Sequence, residues 1–299
     1  MSPTDPSPVL VILAAGRARR YGGCKPLAPV GPGGEPVIDL LAGDAVAAGF
    51  GTVVLVVSPA TGPAIRYHVE HCWPGHVDVR FAIQDTPLGT VHAVLSAADH
   101  LKSDDPFAVA NADDLYGYEA LLLLAEHLRG GAQNNALVGY ELHNAVIGES
   151  PVTRGVCRVG PSGLLEAIDE RRQVVARPDG SFVVNDGREP AVLDGTALVS
   201  MNLWGFGPAM RRALEVAMEK ANHASEDAEV LLPEVVGEVV AGHWPDDTPP
   251  FEVLRAPGRC LGVTHPEDLA LVQAEIARQV GSGIRPATAW AGPGVGGSG

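Results

Sequence analysis

Lys25 closes the stretch Leu13-Ala14-Ala15-Gly16-Arg17-Ala18-Arg19-Arg20-Tyr21-Gly22-Gly23-Cys24-Lys25-Pro26-Leu27, in which four cations, Arg17, Arg19, Arg20 and Lys25, fall within nine residues free of carboxylates. The whole chain carries 36 acidic and 21 basic side chains, a formal net charge of −15. A local cluster of cations in so acidic a chain calls for an anion, and a triphosphate supplies one. Gly16 permits a tight turn whose backbone N–H groups point outward, the geometry that cradles phosphate oxygens. The stretch has neither the Gly-Lys-Ser/Thr of a P-loop nor the GxGxxG of a dinucleotide fold. On its own it is an anion site, or a Gly-rich surface loop with solvated cations.

Two further segments hold residues suited to chemistry. Ala110-Asn111-Ala112-Asp113-Asp114-Leu115-Tyr116-Gly117 brings two carboxylates side by side. That is costly without a cation, and Mg2+ takes one or two carboxylates together with substrate phosphates and water. The alternative is an Asx-type turn with both groups in water. Gln84-Asp85-Thr86-Pro87-Leu88-Gly89-Thr90 reads as a turn and a helix start with Thr90 as N-cap, and a helix N-terminus favours anions or carbonyl oxygens. His92 is read as a helix-face residue.

These segments need a frame to hold them. Val9–Leu13, Val53–Val57, Val79–Ile83 and Phe107–Ala110 read as strands, with helical spacing over Pro36–Ala48 and Thr90–Leu101 between them. Such alternation predicts a parallel, doubly wound α/β sheet, whose ligands collect beyond the carboxyl ends of the strands. Gly16 and Asp113 both fall there. Further on, Ala136–Tyr140, Gly155–Val159, Phe182–Val184 and Ala197–Phe206 read as strands, and Pro208–Ala221 and Pro266–Val280 as helices. A single domain over 1–285 is expected, with a nucleotide-binding half at 8–135 and a smaller β-rich acceptor-binding half at 136–285. The Gly-rich segment 286–299 is expected to be a disordered tail.

The Leu13–Leu27 stretch resembles the LAAGxGxRxGxxKP signature of the sugar-nucleotide pyrophosphorylases, NTP-transferases of the GT-A-like class. Gly16, Arg20, Gly22, Lys25 and Pro26 match it, and Ala18 stands where the family has Gly. The resemblance covers roughly residues 8–290. It implies a Rossmann-like (GT-A-type), predominantly parallel sheet flanked by helices. It implies that Arg20 and Lys25 hold the triphosphate and the acceptor phosphate, with Leu13, Ala14, Ala15, Gly16 and Arg17 around the nucleotide. It implies Asp113 as the metal-binding carboxylate, with Asp114 beside it on the acceptor side, and Gln84, Pro87, Gly89 and Thr90 as the base-recognition stretch.

Other segments match less closely. Ile168-Asp169-Glu170-Arg171 lies where the family has Glu-Lys-Pro, which implies Glu170 and Arg171 as acceptor contacts. Arg154-Gly155-Val156 resembles the family's Tyr-Gly-Val, and Met201-Asn202-Leu203-Trp204-Gly205-Phe206 its later sugar-side strand. Gly139 and Asn202 are the remaining acceptor-side candidates. The family's second metal-binding Asp falls at Gly262 in Gly262-Val263-Thr264-His265-Pro266.

The bulk properties narrow the setting. Cys24, Cys72, Cys157 and Cys260 are scattered, without a CxxC pair, which argues against a zinc site or a disulfide framework. No apolar run reaches the ~20 residues that span a bilayer, and Met1–Pro8 does not read as a secretory signal. The acidic balance disfavours nucleic acid and anionic membrane as partners. A cytoplasmic, Mg2+-dependent nucleotidyltransferase is expected, joining an NTP to a sugar-1-phosphate or cyclitol phosphate and releasing pyrophosphate. Homo-oligomerisation stays open. So do two rivals: a GT-A glycosyltransferase, and a non-catalytic nucleotide-sensing regulator of the same fold.

Overall fold

Alternate residues of the first strand bury on opposite sides, Leu10 and Ile12 in one core and Val11 in the other, all with no exposed surface. A strand apolar on both faces belongs in the middle of a parallel sheet covered by helices on each side. The computed structural model, which describes residues 7–16, 23–131, 134–225, 228–244, 248–263 and 267–291, has it there. In chain order the elements are β1 (Val9–Leu13), α1 (Val37–Ala47), β2 (Thr52–Val57), α2 (Gly62–Cys72), β3 (Asp78–Ile83), α3 (Gly89–Ser96), β4 (Phe107–Asn111), β5 (Asp114–Leu115) and α4 (Tyr118–Arg129). There follow β6 (Asn135–Glu141), α5 (Leu142–Ala145), β7 (Val152–Val159), β8 (Leu165–Ala176), β9 (Phe182–Val184), β10 (Val192–Leu193) and β11 (Leu198–Phe206). The last are α6 (Pro208–Ala224), α7 (Leu232–Val240), β12 (Phe251–Arg255), β13 (Leu261–Gly262) and α8 (Asp268–Gly281).

Strands β3, β2, β1 and β4 lie side by side and parallel. Helices α1, α2, α4 and α8 fill one core and α3, α6 and α7 the other. Because Leu13 pairs with Asn111, β1 and β4 end together, and the segments after them share one edge of the sheet. The Ala112 N–H donates to the Leu13 carbonyl at 3.2 Å and extends that union by one residue.

Strand β11 organises the second half. Its C-terminal residues Trp204–Phe206 run antiparallel to β4, whereas Val199 and Ser200 pair with β7. Strand β6 follows the other edge of β11, with the register broken between Ser200 and Trp204, and β12 pairs parallel to β6. Strands β7, β8, β9 and β10 continue as an antiparallel run. The partner of β11 therefore changes at a bulge in which Asn202 takes φ +58°, a left-handed conformation that Asn tolerates better than most residues. Tyr116, fully buried, ties the junction together. Its hydroxyl accepts the Asn111 backbone N–H at 3.0 Å and donates to the Met201 carbonyl at 2.9 Å.

Several expectations change. The helix expected over Thr90–Leu101 begins at Gly89 and stops at Ser96, followed by a separate 3₁₀ turn at Ala98–His100. Thr90 does not cap it. Its hydroxyl instead accepts the N–H of Leu232, the first residue of α7, at 2.8 Å. The disordered tail expected from 286 is corrected over 286–291. Arg285 forks onto Asp44 of α1 at 3.0 and 2.6 Å, and the Trp290 ring meets Trp73 edge-on at 5.1 Å. Ala289 lies so close to Gly43 that a β-carbon there would collide with its carbonyl. Residues 292–299 lie outside the described residues. Among the described residues no helix is long and apolar enough to cross a membrane.

Replacing Tyr116 by Phe removes one oxygen that serves two strands and leaves the buried Met201 carbonyl without its donor. The unfolding free energy should fall by about 1–3 kcal/mol in denaturant titration, with an unchanged slope. A loss below about 0.5 kcal/mol, the usual scale of an indifferent surface change, would show that the bridge does not hold the junction.

Candidate active site

Lys25 begins a 3₁₀ turn, Lys25–Leu27, closed by Leu27 N–H to Cys24 and Ala28 N–H to Lys25, with Pro26 fixing the second position. The turn carries the ammonium back over the ends of β1 and β4. Its Nζ lies 3.5 Å from Asp113 Oδ2. Leu13, Ala14, Gly16, Lys25, Pro26, Ala112 and Asp113 line a recess of about 130 Å³ at this edge. Gly16 has no positive φ, and a β-carbon on it would meet nothing within 4 Å among the described residues. What the glycine contributes is open space over the backbone. Ala15 points into the opposite core. Arg17 and Arg20, with Ala18 and Gly22 of the signature, lie outside the described residues.

Asp113 and Asp114 differ sharply in surroundings. The Asp113 side chain is 38% exposed, whereas Asp114 is buried and accepts the Asn111 amide at 3.0 Å. Burial, and then the charge of Asp113, push the Asp114 carboxyl up to about 7, against the pull of the Asn111 amide, Arg154 and Lys25. Strand β5 pairs antiparallel with β13, so Gly262 stands opposite Asp114, and Val263 N–H donates to the Asp113 carbonyl at 3.1 Å. Among the described residues no three His, Cys, Asp or Glu side chains gather as a metal cage. The donor set is an open carboxylate with a second behind it. That suits Mg2+, which keeps water and substrate phosphates as its other ligands.

Asp113 also lines a second, larger cleft of about 1150 Å³. Its floor is Ser200, Met201 and Asn202, at the bulge where β4 and β7 part. Strands β7 and β8 form one wall with Arg154, Arg158, Glu170 and Arg172, and α7 forms the other with Pro233, Glu234 and Gly237. Ser200 Oγ accepts the Asn202 N–H at 3.2 Å and braces the left-handed residue.

The expected acceptor residues divide. Asp114, Glu170 and Asn202 face the cleft; Arg171 and Gly139 do not. Side chains alternate along a strand, so Glu170 and Arg172 share one face of β8 while Arg171 turns to the other. There its guanidinium is buried and grips Asp186 at 2.8 and 3.1 Å, together with the Arg188 and Pro190 carbonyls. Arg171 is structural. Gly139 is enclosed mid-sheet, where a β-carbon would press Val253 at 3.0 Å. Sequence reasoning passed over Arg154, Arg172 and α7 as cleft residues. The one signal present was the basic residue heading Arg154-Gly155-Val156, in the place of the family's Tyr.

The base-recognition stretch lies apart from both cavities. Gln84 Nε2 donates to the Gly89 carbonyl at 3.0 Å and lies 3.3 Å from His92 Nδ1, while Pro87 is exposed. Gly89 takes φ +89° and abuts the backbone of Val230, where no β-carbon fits. Val91 N–H to Val230 and Val230 N–H to Leu88 complete this join, which connects the Leu88–Val91 turn to the lead-in of α7.

The raised Asp114 carboxyl fixes the sign of a pH effect. In the unfolded chain the group ionises near 4, but in the folded protein burial keeps it protonated until about 7. The folded state therefore loses stability as pH rises from about 4 towards 7. Asp114→Asn keeps the Asn111 contact and removes that loss. In metal-free buffer the variant should melt several degrees above wild type near pH 7, with the gap closing near pH 4. A gap independent of pH would contradict the assignment.

Residues 10–198, more than half of the chain, match the family described as MobA-like NTP transferase domain. The bifunctional protein GlmU of Hyphomonas neptunium is 34% identical over 176 residues, 58% of this chain and 36% of its own length. Glucose-1-phosphate thymidylyltransferase of Mycolicibacterium smegmatis is 30% identical over 130 residues, 41% of this chain and 44% of its own. The chain thus matches less than half the length of these curated relatives. Among solved structures, UTP-bound UGPase from Acinetobacter baumannii is similar with a TM-score of 0.61 at 16% identity, over 94% of this chain and 95% of that one. HddC from Yersinia pseudotuberculosis gives 0.58 at 16%, over 89% and 98%. At such identities the likeness is one of fold, and the fold is the Rossmann-like α/β architecture described above. The family match runs from β1 to the start of β11 and takes in both Lys25 and Asp113, and the chain belongs to the MobA-like NTP transferase family of nucleotidyltransferases.

Proposed function

We propose that the protein joins an NTP to a sugar-1-phosphate, or to a cyclitol phosphate, and releases pyrophosphate with the help of Mg2+. The observation that carries this is Asp113, which lines both the recess holding Lys25 and the large cleft. One residue thereby borders a cavity suited to phosphates and another large enough for a sugar. The relatives support the pairing: one is a glucose-1-phosphate thymidylyltransferase, and one solved neighbour is a UTP-bound UGPase. In this reading residues 8–135 bind the NTP, residues 136–285 bind the acceptor, and the acidic chain works in the cytoplasm.

The chemistry asks little of the side chains. An acceptor phosphate oxygen forms a bond to the α-phosphorus, the bond to the β-phosphate oxygen breaks, and pyrophosphate leaves with the electron pair. The attacking oxygen is already an anion, so no general base is needed. The work is positioning and charge neutralisation. Lys25, held over the strand ends by its 3₁₀ turn, would take triphosphate oxygens, and Arg17 and Arg20 of the same sequence signature would join it. Leu13, Ala14 and Gly16 would shape the floor of the recess, with Ala15 supporting them from the opposite core. Asp113 would hold Mg2+, which when bound neutralises phosphate charge; buried Asp114, tied to Asn111, keeps the adjoining backbone in place. The base would reach past the recess to Gln84, Pro87 and Gly89, which line neither cavity. The Thr90 hydroxyl is already committed to Leu232, which leaves it a role in shaping that turn. Glu170 and Asn202 would take acceptor hydroxyls.

Four NTPs screened against a panel of sugar-1-phosphates for pyrophosphate release tests the reaction. Release that needs NTP, acceptor and Mg2+ together supports it, and release from no pair overturns it. With an active pair in hand, Lys25→Ala should lower kcat by roughly 100- to 1000-fold with an unchanged melting temperature. Activity near wild type in that variant would remove Lys25 from the phosphate site.

A further inference from the structure

We propose that Arg154 grips the phosphate of the acceptor with its guanidinium fork, the role that the sequence pattern suggested for Arg171. This rests on the transfer reaction proposed above and names the residue that would hold its second substrate. Arg171 is spent on Asp186, so the acceptor phosphate needs another cation. The large cleft offers Arg154, Arg158, Arg172 and Arg188. Three of them already meet acidic partners at its rim: Arg158 lies 3.3 Å from Glu166, Arg172 3.0 Å from Glu170 and Arg188 3.0 Å from Asp169. Their side chains are also more than half exposed, where solvent weakens their hold on any anion.

Arg154 differs on both counts. Among the described residues its hydrogen bonds all go to backbone carbonyls: Nε and Nη2 to Ala145 at 3.2 and 2.7 Å, and Nη1 to Thr153 at 2.8 Å. These three bonds fix the plane of the fork and leave one N–H on each terminal nitrogen, the pair that a phosphate takes two at a time. The residue is half-buried, less open than those three, and it lines the same cleft as buried Asp114, near enough for each to attract the other. Lys25 attracts Asp114 as well. The carboxylate pair therefore has one cation at the recess and one at the cleft. An in-line displacement needs that arrangement, with the triphosphate on one hand and the attacking phosphate on the other.

The test compares the full-length wild type with Arg154→Gln and Arg154→Lys. Calorimetry measures the binding of α-D-glucose 1-phosphate, of the other sugar-1-phosphates in the panel, and separately of the NTP. Pyrophosphate release at saturating NTP gives the acceptor KM. Arg154→Gln should weaken acceptor binding and raise its KM roughly 10- to 100-fold, the range of a charged hydrogen-bonded pair, and leave NTP binding within about threefold. Arg154→Lys, which keeps the charge and loses the fork, should fall between. If the Gln variant does not fold, the Lys variant decides. An unchanged acceptor constant in a folded variant overturns the assignment, as does equal weakening of both substrates or a wild type that binds no member of the panel. Acceptor binding that depends on Arg154 without pyrophosphate release from any NTP would sink the reaction and leave the assignment standing. Release with an acceptor KM indifferent to Arg154 would do the reverse.

Discussion

The Tyr116 hydroxyl accepts a hydrogen bond from Asn111 at the end of β4 and donates one to Met201 in the bulge of β11. Tyr140 donates to the backbone carbonyl of the same tyrosine at 2.8 Å, so Tyr116 is held by its hydroxyl and by its main chain inside the core. This small network fixes where the parallel sheet stops and where the gap between β4 and β7 opens. Asn111 leads directly into Asp113 and Asp114, and Met201 directly into Asn202. A single buried oxygen therefore sets the distance between the carboxylate edge and the floor of the large cleft. Buried polar groups of this kind hold position only when each is satisfied, and here the phenol uses its lone pair and its proton alike.

The charge distribution follows the same junction. A chain at −15 gathers Lys25 and Arg154 around one buried carboxylate, Asp114, whose ionisation burial opposes. Leaving Asp114 in place costs stability, yet its amide partner Asn111 is the residue that Tyr116 anchors. Ion pairs elsewhere in the second half are of another sort. Arg171 and Asp186 are both nearly covered and are joined by two hydrogen bonds, and they lock β8 to the segment before β10. That buried pair stiffens the cleft wall, which Asp186 helps to line, while the exposed arginines beside it remain adjustable.

Much of the first half was legible because its local signals and its burial agree. β1, β2 and β4 are short apolar runs buried on both faces, and strand ends with glycine or paired carboxylates mark the ligand edge. Lys25 and Asp113 were singled out by the cation cluster, the paired carboxylates and the signature they resemble, and their side chains do meet. Elements that depend on distant partners were not legible. α2 buries only Gly62, Ile65 and Val69, and β8 carries Glu166, Asp169, Glu170, Arg171 and Arg172, so its sequence reads as a polar connection. Arg171 sat in a convincing pattern, but strand alternation turned it away from the cleft, and one sequence does not reveal that register. The segment 286–291 looked like a tail because it opens a run rich in Gly, Ala and Pro, whereas its anchors, Asp44, Gly43 and Trp73, lie more than 200 residues earlier.

Gly262 bears on how a metal would be held. It stands directly across from Asp114 on the β5–β13 ribbon. A carboxylate at that position would put a third acidic group beside Asp113 and the already protonation-prone Asp114. Like charges at such range raise each other's proton affinity, and the site would then need a resident cation to remain ionised. With glycine there, the ribbon keeps one open carboxylate and one that burial tends to neutralise. A cation held by so few protein charges binds weakly alone and firmly only with the phosphates that supply its remaining ligands. In the proposed reaction, metal and triphosphate would therefore enter the recess together, and Arg154 rather than a second carboxylate would face the acceptor.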